Sequence, residues 1–360
     1  MTITQQNLSE NRFAAENLIE FAKTLLARVG LDCERALTVA NILVEGDLMG
    51  HSTHGLILLP AYLKDLESGK MKREGRPITL ADTGTAITWD GQYLPGPWLT
   101  LKAMELAFER INEHPVVTIA IQKSHHIACL AAYPELATKK NLFMLLTCTD
   151  PSVRTVAPFG GIQPVYTPNP IAAGIPTEGV PMIIDISVSS VANGVVSQAF
   201  QQNKPLPGKW ILDNQGIPTD DPKAFFADPP GTVLPLGGEL LGYKGFALGL
   251  LVEALTAGLS GHGRSNDPKE WGASVFLQII NPDAFGGLAH YLKEMEWLGK
   301  ACTDSTVKSR SQPVRLPGRK GLQLKKEQME IGVELEAGII DALRKLSEKY
   351  EIDMVAANRF

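Results

Sequence analysis

Short apolar runs rich in β-branched residues alternate with helical stretches through the middle of this 360-residue chain. Four of these runs have the length and composition of buried strands: residues 116–121, 142–147, 182–186 and 275–280. Helical periodicity lies between them, at residues 99–111, 129–140 and 246–259. Because this alternation is typical of a sheet covered by helices, the middle of the chain is predicted to be α/β.

The two ends of the chain predict helices instead. Apolar residues recur at helical spacing between residues 9 and 30, and a second helix is predicted from Asp32 to Gly46. Near the other end, a helical stripe is formed by Ile331, Leu335, Ile339, Leu343 and Leu346. We therefore predict a helical subdomain of residues 1–75 and 322–360, packed against a central α/β domain of residues 76–321.

Charge and hydropathy exclude several classes of partner. The chain has 34 basic and 39 acidic residues, a net charge of -5, so no broad cationic field is available for nucleic acid. The longest apolar stretch, residues 245–259, is interrupted by Glu253 and is shorter than a membrane span requires. We expect neither a nucleic-acid partner nor a membrane partner.

The four cysteines are widely spaced and form no C-x-x-C pair; they are Cys33, Cys129, Cys148 and Cys302. This pattern favours reduced thiols in a cytoplasmic protein over a disulfide framework or a structural zinc site. We expect all four to be packing residues.

Known nucleotide-binding motifs are missing from the sequence. No G-x-G-x-x-G follows a strand, and the Gly237–Gly245 segment lacks the lysine–hydroxyl pair of a P-loop. Within that segment, Lys244 stands between glycines and directly before an apolar stretch, so it could bind a phosphate. The structural alternative is a helix-capping turn with an exposed lysine.

Four of the seven histidines fall into two clusters, His51/His54 and His125/His126. One interpretation is a zinc site that uses both clusters. The other is that His54 acts as a general acid with Thr53 beside it, because imidazole titrates near neutral pH. A purely structural role remains a third possibility for each histidine.

Asp185 interrupts the apolar strand at residues 182–186. An ionised carboxylate in such a strand costs several kcal/mol unless it is paired or hydrogen-bonded. A histidine would be a suitable partner, since a carboxylate fixes the imidazole tautomer and raises its pKa. The alternative is an acid at a strand end that caps the turn at residues 187–190.

Taken together, these segments resemble the type-2 malate/L-lactate dehydrogenase family. The stretch 47–62 is similar to the family signature D-x-R-G-x-x-S-H-G-x-x-R-L-P-x-Y, and further blocks agree in order at residues 124–133, 156–176, 184–194 and 234–245. The resemblance implies a non-Rossmann NAD(P)-binding fold with a mixed sheet. It also implies a homodimer that oxidises or reduces small 2-hydroxy or 2-oxo acids with NAD or NADP.

The resemblance assigns catalytic roles to four residues. His54 matches the proton donor to the substrate oxygen, Asp185 matches the charge-relay acid, and Thr53 stands where the family has a serine. His126 matches a histidine near the nicotinamide that is the catalytic base in some members. No metal is required.

Cofactor contacts implied by the resemblance are spread over four segments. They map to Thr149, to the strand end Ile184, Asp185, Ile186 and Ser187, to Tyr243 and Lys244, and to Pro317, Gly318 and Arg319. The family usually has a glutamate where this chain has Arg319.

Departures from the family pattern concern the substrate. Arginines are usual where this chain has Met49, Leu58 and Ala61, and an arginine there would clamp a substrate carboxylate. In this chain, the loop at residues 150–155 is longer and brings in Arg154. We expect Arg154 or Lys123 to recognise the anion, or else the substrate to be bulkier and more apolar than malate.

The sequence thus predicts an NAD(P)-dependent oxidoreductase acting on C2 of a small 2-oxo or 2-hydroxy acid. One alternative is a cyclic imino acid reductase of the same family. Two alternatives from other classes are a catalytically silent binding homologue and a zinc hydrolase.

Overall fold

The computed structural model of the protein describes residues 11–309 and 313–357. Its strands are β1 (Arg12–Phe13), β2 (Ile78–Asp82), β3 (Ala86–Asp90), β4 (Val116–Ser124), β5 (Phe143–Thr149), β6 (Ile171–Ile175), β7 (Met182–Ile186), β8 (Ile211–Leu212), β9 (Pro218–Thr219), β10 (Thr232–Val233), β11 (Ala273–Ile280) and β12 (Val333–Glu334). Its helices are α1 (Ala15–Arg28), α2 (Cys33–Leu48), α3 (Leu59–Ser68), α4 (Gly96–Arg110), α5 (Pro134–Thr138), α6 (Asn193–Gln201), α7 (Gly238–Glu253), α8 (Leu288–Thr303), α9 (Arg319–Ile331) and α10 (Ala337–Tyr350).

A seven-stranded mixed sheet forms the centre of the fold, in the order β2-β3-β4-β11-β5-β6-β7. Only β3 and β4 pair in parallel, and the other neighbours are antiparallel. The four runs predicted from composition are β4, β5, β7 and β11, so the predicted α/β class with a mixed, non-Rossmann sheet is confirmed.

The middle of this sheet is covered on both faces. Six of the eight β11 residues are buried, including consecutive ones that point to opposite faces. Helix α4 packs on β4 and β11, and the end of the α7 helix contacts the same strands. This burial explains why the central strands read as continuous apolar runs.

Helices from both ends of the chain pack together, as predicted. Helices α1, α2, α3 and α10 contact one another, and β1 pairs with β12, which joins the two ends. Their buried residues belong to the same apolar core as β4 and β11. The division into residues 1–75 with 322–360 and 76–321 stays a prediction, and residues 1–10 and 358–360 of it lie outside the described residues.

A second, smaller core lies beyond β7. It gathers Val156, Tyr166, Val188, Val233 and Val252 with their neighbours. The proline-rich stretch at residues 202–235 contributes the three-stranded sheet β10-β8-β9 to this region.

Two predicted helices differ from the observed ones. Residues 129–140 form only a short turn and the five-residue α5, because Pro134 starts a new helix there. Helix α7 begins at Gly238, eight residues before the predicted start. Lys244 is therefore an exposed residue inside a helix, not part of a turn before one.

The glycines beside Lys244 serve helix packing. A Cβ on Gly245 would lie 2.3 Å from the backbone nitrogen of Leu236, and one on Gly242 would contact Phe159. Because protein atoms already fill the space beside both glycines, they do not open the backbone to a ligand.

The helical stretch Gly238–Gly258 is long and apolar enough to cross a membrane by length and composition alone, and 28% of its apolar 18-residue window is buried. Glu253 nevertheless joins this stretch to the sheet through Thr149 and Arg264.

The expectation that all four cysteines are packing residues is wrong, because Cys33 and Cys302 are exposed.

Candidate active site

The loop between α2 and α3 carries Thr53 and His54. It is anchored by Asp47, whose buried carboxylate accepts a 2.7 Å hydrogen bond from the backbone N–H of Leu56. A Cβ on Gly55 would lie 2.2 Å from Asp47 Oδ1, so only glycine lets the loop pass this closely. Burial raises the pKa of Asp47 from 3.8 to about 8. The acid is thus mostly neutral at pH 7.

His54 is oriented by its neighbour in the chain. Its Nδ1 lies 2.8 Å from Thr53 Oγ1, as the adjacent hydroxyl and imidazole suggest. Burial lowers the pKa of His54 from 6.5, and the negative charge of Asp185 opposes that shift. A neutral imidazole with one nitrogen fixed by a hydroxyl leaves Nε2 available for proton transfer.

Asp185 lies on β7, one of the two edge strands of the seven-stranded sheet. Its Oδ2 accepts a hydrogen bond of 2.9 Å from the Ala131 N–H, and the Cys129 thiol lies 3.9 Å from the same oxygen. Burial raises the pKa of Asp185, and His51 opposes this rise more than His54 does.

The direct His54–Asp185 hydrogen bond expected for a relay is not formed in the described part of the chain. A ring nitrogen of His51 lies within 4.8 Å of the Asp185 carboxylate, and His51 lowers the pKa of Asp185 more than His54 does. Asp185 and His54 do lie close enough to influence each other's pKa. The acid therefore acts on His54 through its charge and not by holding the ring.

His126 faces His54 in a stack of rings. The ring centroids of His54 and His126 are 6.1 Å apart, and those of His126 and Trp271, which also stack, are 4.7 Å apart. His126 Nδ1 accepts the N–H of Ala128 at 3.2 Å and lies 2.9 Å from the hydroxyl oxygen of Tyr62.

This hydrogen bonding decides the tautomer of His126. Because Nδ1 accepts an N–H, the ring proton is assigned to Nε2. Burial lowers the pKa of His126 well below 6.5, so the ring is neutral. In this arrangement, His126 offers a hydrogen-bond donor and not the base that the resemblance suggests.

The two histidine clusters do not form one metal site in the described residues. His125 is fully buried and its Nε2 pairs with Asp65 at 3.1 Å, while His126 is engaged by Tyr62. The group with metal-ligand spacing that the described residues do provide is His51, Cys129 and Asp185.

A cavity of about 590 Å³ opens between the Asp185 end of β7 and the start of α9. We call it the α9 cavity, and it is lined by Met49, Gly50, His51, Ala131, Ile183, Asp185, Pro313, Arg315, Leu316, Pro317, Gly318, Lys320, Gly321 and Leu324. Among the cofactor residues predicted from the resemblance, the cavity brings together Asp185, Pro317 and Gly318. Arg319 is the first residue of α9 and does not line the cavity.

The connection between β7 and α9 is tight. The Ile183 N–H donates to the Pro317 carbonyl at 3.2 Å, and a Cβ on Gly318, whose φ is +81°, would lie 2.7 Å from Ile183 Cβ. Ile184 and Ile186 continue along β7 from this contact, and Ser187 follows the strand directly. The Ser187 hydroxyl donates to the Ser189 carbonyl at 3.0 Å.

Tyr243 and Lys244 are linked to the end of β7 through the backbone. The Gly245 N–H donates to the Leu236 carbonyl, and the Leu236 N–H donates to the Val188 carbonyl. This places the exposed Tyr243 and Lys244 near Ser187, although they do not line the α9 cavity.

Thr149, another predicted cofactor residue, belongs to a polar network inside the fold. Its hydroxyl donates to Glu253 Oε1 at 2.8 Å and accepts from Arg264 at 2.9 Å. Arg264 also pairs with Glu253 at 2.9 Å, and Asn169 donates to the same carboxylate. Thr149 is thus fully engaged by protein groups.

Arg154 lines a second cavity, of about 720 Å³, which we call the basic cavity. It is lined by Ala61, Lys64, Asp65, Lys70, Ser152, Val153, Arg154, Asp267, Pro268, Lys269 and Trp271. Its four cations outnumber its two acids, and Arg154 keeps only a loose 3.6 Å pair with Asp267. The basic cavity adjoins the ring stack through Trp271.

The remaining substrate positions are dispersed. Lys123 pairs with Asp90 at 3.1 Å and lines a separate small crevice with His262, so the structure does not bring it to the basic cavity. Met49 is buried beside Cys129, Leu58 packs against the main core, and Ala61 lines the basic cavity.

Several site residues were missed by sequence reasoning. Glu253 interrupts an apolar helix just as Asp185 interrupts an apolar strand, so the same burial argument could have predicted a partner such as Arg264. Tyr62 was seen only as part of the signature. No local signal marked Cys129 or Trp271, because their neighbours in space are distant in sequence.

Comparison with known proteins gives a consistent result. The model of the malate/L-lactate dehydrogenase family matches residues 13–344. A relative from Chromohalobacter salexigens, named (2R)-3-sulfolactate dehydrogenase (NADP(+)), is 33% identical over 331 residues, covering 90% of this chain and 94% of that protein.

Two solved structures share the fold over nearly the whole chain. A dehydrogenase from Sinorhizobium meliloti has a TM-score of 0.82 and 28% identity, covering 93% of this chain and 97% of the other. The delta1-piperideine-2-carboxylate reductase from Pseudomonas syringae pvar. tomato has a TM-score of 0.81 and 26% identity, covering 93% and 99%.

Proposed function

The chain belongs to the malate/L-lactate dehydrogenase family and is an oxidoreductase that acts on CH–OH groups, and from this premise we propose its reaction. The reaction is reversible hydride transfer between NAD or NADP and C2 of a small 2-hydroxy or 2-oxo acid. The observation that carries the proposal is the Thr53–His54 pair, which lies near the charge of Asp185 in the α9 cavity wall and is linked through the His126 ring to Trp271 of the basic cavity.

The α9 cavity fits a dinucleotide by size and by chemistry. Its volume of about 590 Å³ is within the range of cofactor pockets. Arg315 and Lys320 supply positive charge, and the 13-residue α9 begins at the cavity wall, where its first N–H groups favour a phosphate. Pro317, Gly318 and the Asp185 end of β7 would hold the bound cofactor, with Ile184, Ile186, Ser187, Tyr243, Lys244, Thr149 and Arg319 as further candidates.

Bound nicotinamide supplies or accepts the hydride at C2. His54 moves the accompanying proton: in oxidation its neutral Nε2 accepts the proton of the substrate hydroxyl, while Nδ1–H is donated to Thr53 Oγ1. The nearby negative charge of Asp185 stabilises the imidazolium that forms. Thr53, by orienting the ring, and Asp185, by its charge, thus both act through His54, which is the catalytic residue.

Recognition of the substrate anion is assigned to the basic cavity. Arg154 is loosely paired, and the cavity that it shares with Ala61 lies next to the His126–Trp271 stack. A guanidinium can bind a carboxylate through two parallel hydrogen bonds. We propose that Arg154 replaces the arginine that related sequences carry at position 61. Lys123, held by Asp90, is the second candidate.

A cyclic imino acid is the alternative substrate. One structural neighbour is named delta1-piperideine-2-carboxylate reductase. Protonation of an imine nitrogen requires the same donor position as protonation of a carbonyl oxygen, so His54 would serve both reactions.

We also propose that the protein is a homodimer in the cytoplasm without a membrane partner. Helix α7 exposes large apolar side chains, including Leu240 at 84% exposure, with Leu250 and Leu251 half-exposed. Such a patch on a soluble protein favours burial against a partner. The ties of Glu253 to the sheet favour a second copy over a bilayer as that partner.

The test is oxidation or reduction of a panel of 2-hydroxy acids, 2-oxo acids and cyclic imines with both cofactors, followed by nicotinamide absorbance. We expect turnover with at least one pair. His54→Asn should lower kcat about 10²- to 10⁴-fold with cofactor affinity nearly unchanged. The exposed His290→Asn is the matched control. No turnover across the panel would favour a silent homologue instead.

A further inference from the structure

Three potential metal ligands of different chemistry meet at the wall of the α9 cavity. One ring nitrogen of His51, the sulfur of Cys129 and a carboxylate oxygen of Asp185 lie within 4.8 Å of one another. We propose that these three side chains bind a thiophilic divalent cation, with Zn²⁺ as the model ion, and that the bound ion inhibits the dehydrogenase. The binding site stands independently, whereas the inhibition rests on the proposed function.

The spacing is close to that of a tetrahedral centre. A zinc ion with Zn–S of about 2.3 Å and Zn–O of about 2.0 Å separates its sulfur and oxygen ligands by about 3.5 Å. Cys129 Sγ and Asp185 Oδ2 are 3.9 Å apart, so a small side-chain rotation suffices. The three residues come from the α2–α3 loop, the stretch before α5, and β7, so the site exists only in the folded protein.

Charge favours the same occupant. In the described part of the chain, the hydrogen-bond donors to Asp185 are the Ala131 N–H and the Cys129 thiol, and neither is a cation. A divalent ion with one thiolate, one carboxylate and one neutral imidazole has no net charge, which suits a largely buried site. The thiol proton passes to solvent when the ion binds.

The site is accessible from one side. His51 and Asp185 line the α9 cavity, whereas Cys129 is buried behind them. A water molecule from the cavity can therefore complete four-coordination. The mixed sulfur, nitrogen and oxygen set favours Zn²⁺ or Co²⁺ over Mg²⁺ and Ca²⁺, which prefer oxygen ligands alone.

Occupation would interfere with the proposed chemistry in two ways. The ion would neutralise Asp185, whose charge supports the imidazolium form of His54. It would also stand in the cavity assigned to the dinucleotide, so that metal and cofactor compete.

Binding is tested with Co²⁺ on the full-length protein, because a cysteine–cobalt bond gives a charge-transfer band and tetrahedral cobalt gives visible bands. The Cys33→Ser/Cys302→Ser protein serves as background, since these two thiols are exposed. We expect one Co²⁺ per chain with both signatures, and displacement by Zn²⁺. Adding Cys129→Ser should abolish the charge-transfer band, and adding His51→Gln should weaken binding at least about tenfold.

Absence of the band in the background protein, or its persistence after Cys129→Ser, would overturn the site. Should Cys129→Ser fail to fold, the His51→Gln variant serves as the test, and an unchanged Co²⁺ affinity in that variant would overturn the site. Inhibition is read from NAD(P)H titrations: Zn²⁺ should weaken NAD(P)H binding at least about tenfold in the background protein but not after Cys129→Ser. Equal titrations with and without Zn²⁺ would refute inhibition. If metal-free protein binds cobalt through Cys129 but no NAD(P)H, the proposed function fails while the site stands.

Discussion

Replacing Asp47 with asparagine should change how the stability of this protein depends on pH. Asp47 is 4% exposed, its Oδ2 accepts the Leu56 N–H, and its Oδ1 has no hydrogen-bond partner in the structure. Burial raises its pKa from 3.8 to about 8. The folded state therefore binds a proton that the unfolded chain releases between these two pH values.

The sign and size follow from this linkage. An acid with a raised pKa in the folded state contributes stability that is fully present below pH 3.8 and is lost progressively as pH rises towards 8. Because the pKa rises from 3.8 to about 8, at about 1.4 kcal/mol per pH unit, the loss of stability is about 4 kcal/mol at pH 7 and about 5 kcal/mol at pH 8. Asparagine keeps the shape of the neutral acid and does not titrate.

We therefore expect Asp47→Asn and the parent to have similar unfolding free energies near pH 4. Above that pH, the variant should become progressively more stable than the parent. The unpartnered Oδ1 position holds an O–H donor in the protonated parent and an N–H donor in the variant, so its cost is similar in both proteins and does not change the slope. The physical reason is that only the parent must bury a charge beneath the His54 loop.

The assay is urea unfolding followed by circular dichroism from pH 4 to 8, at one protein concentration and without cofactor, since ligand and dimer formation also shift stability. Asp341→Asn, an exposed acid on α10 paired with Arg344, is the control and should track the parent. If the difference in unfolding free energy between Asp47→Asn and the parent stayed constant with pH, the reasoning would be refuted, because Asp47 would then have the same pKa in the folded and unfolded states.

Four further outcomes are expected. Arg154→Ala should raise KM for the acid substrate about 10- to 100-fold with cofactor affinity unchanged, measured against exposed Lys300→Ala; an unchanged KM on every accepted acid would reject the assignment. Lys320→Ala should weaken NAD(P)H binding about tenfold in fluorescence titrations, and identical curves would count against the α9 cavity. Burial lowers the pKa of His54 below 6.5, so kcat/KM for oxidation should fall only on acidification through that lowered pKa, and kcat/KM for reduction should decline as pH rises through it. A pH dependence of kcat/KM that persists in His54→Asn would belong to another group. Glu253→Gln should lower unfolding stability by about 1–3 kcal/mol, with less than additive loss when combined with Arg264→Gln; full additivity would show that the pair does not interact.

Local patterns in the sequence were sufficient for much of the architecture. The runs that became β4, β5, β7 and β11 are apolar because the sheet is covered on both faces, and that burial leaves a composition that can be read directly. Strand β2 is exposed along its whole length and β8–β10 are two residues long each, so no burial marks their composition in this way.

Part of the candidate site was also readable. The neighbouring Thr53 and His54 could be paired because they are adjacent in the chain, and Asp185 was conspicuous as a charge within an apolar strand. The environment of Lys244 was misread, because the packing of α7 against Leu236 is invisible in the local sequence.

The sequence by itself determined the kinds of element, the helical ends and the residues whose chemistry required a partner. Those features depend on periodicity and on the cost of burying charge, which act over a few neighbouring residues. Only the tertiary structure decided which partners meet: His51 and Cys129 approach Asp185, the His126 ring stacks with both His54 and Trp271, and Glu253 and Arg264 both bond to Thr149. Contacts of this kind are fixed by strand order and helix packing, because the fold brings together side chains that are in several cases more than a hundred positions apart in the sequence.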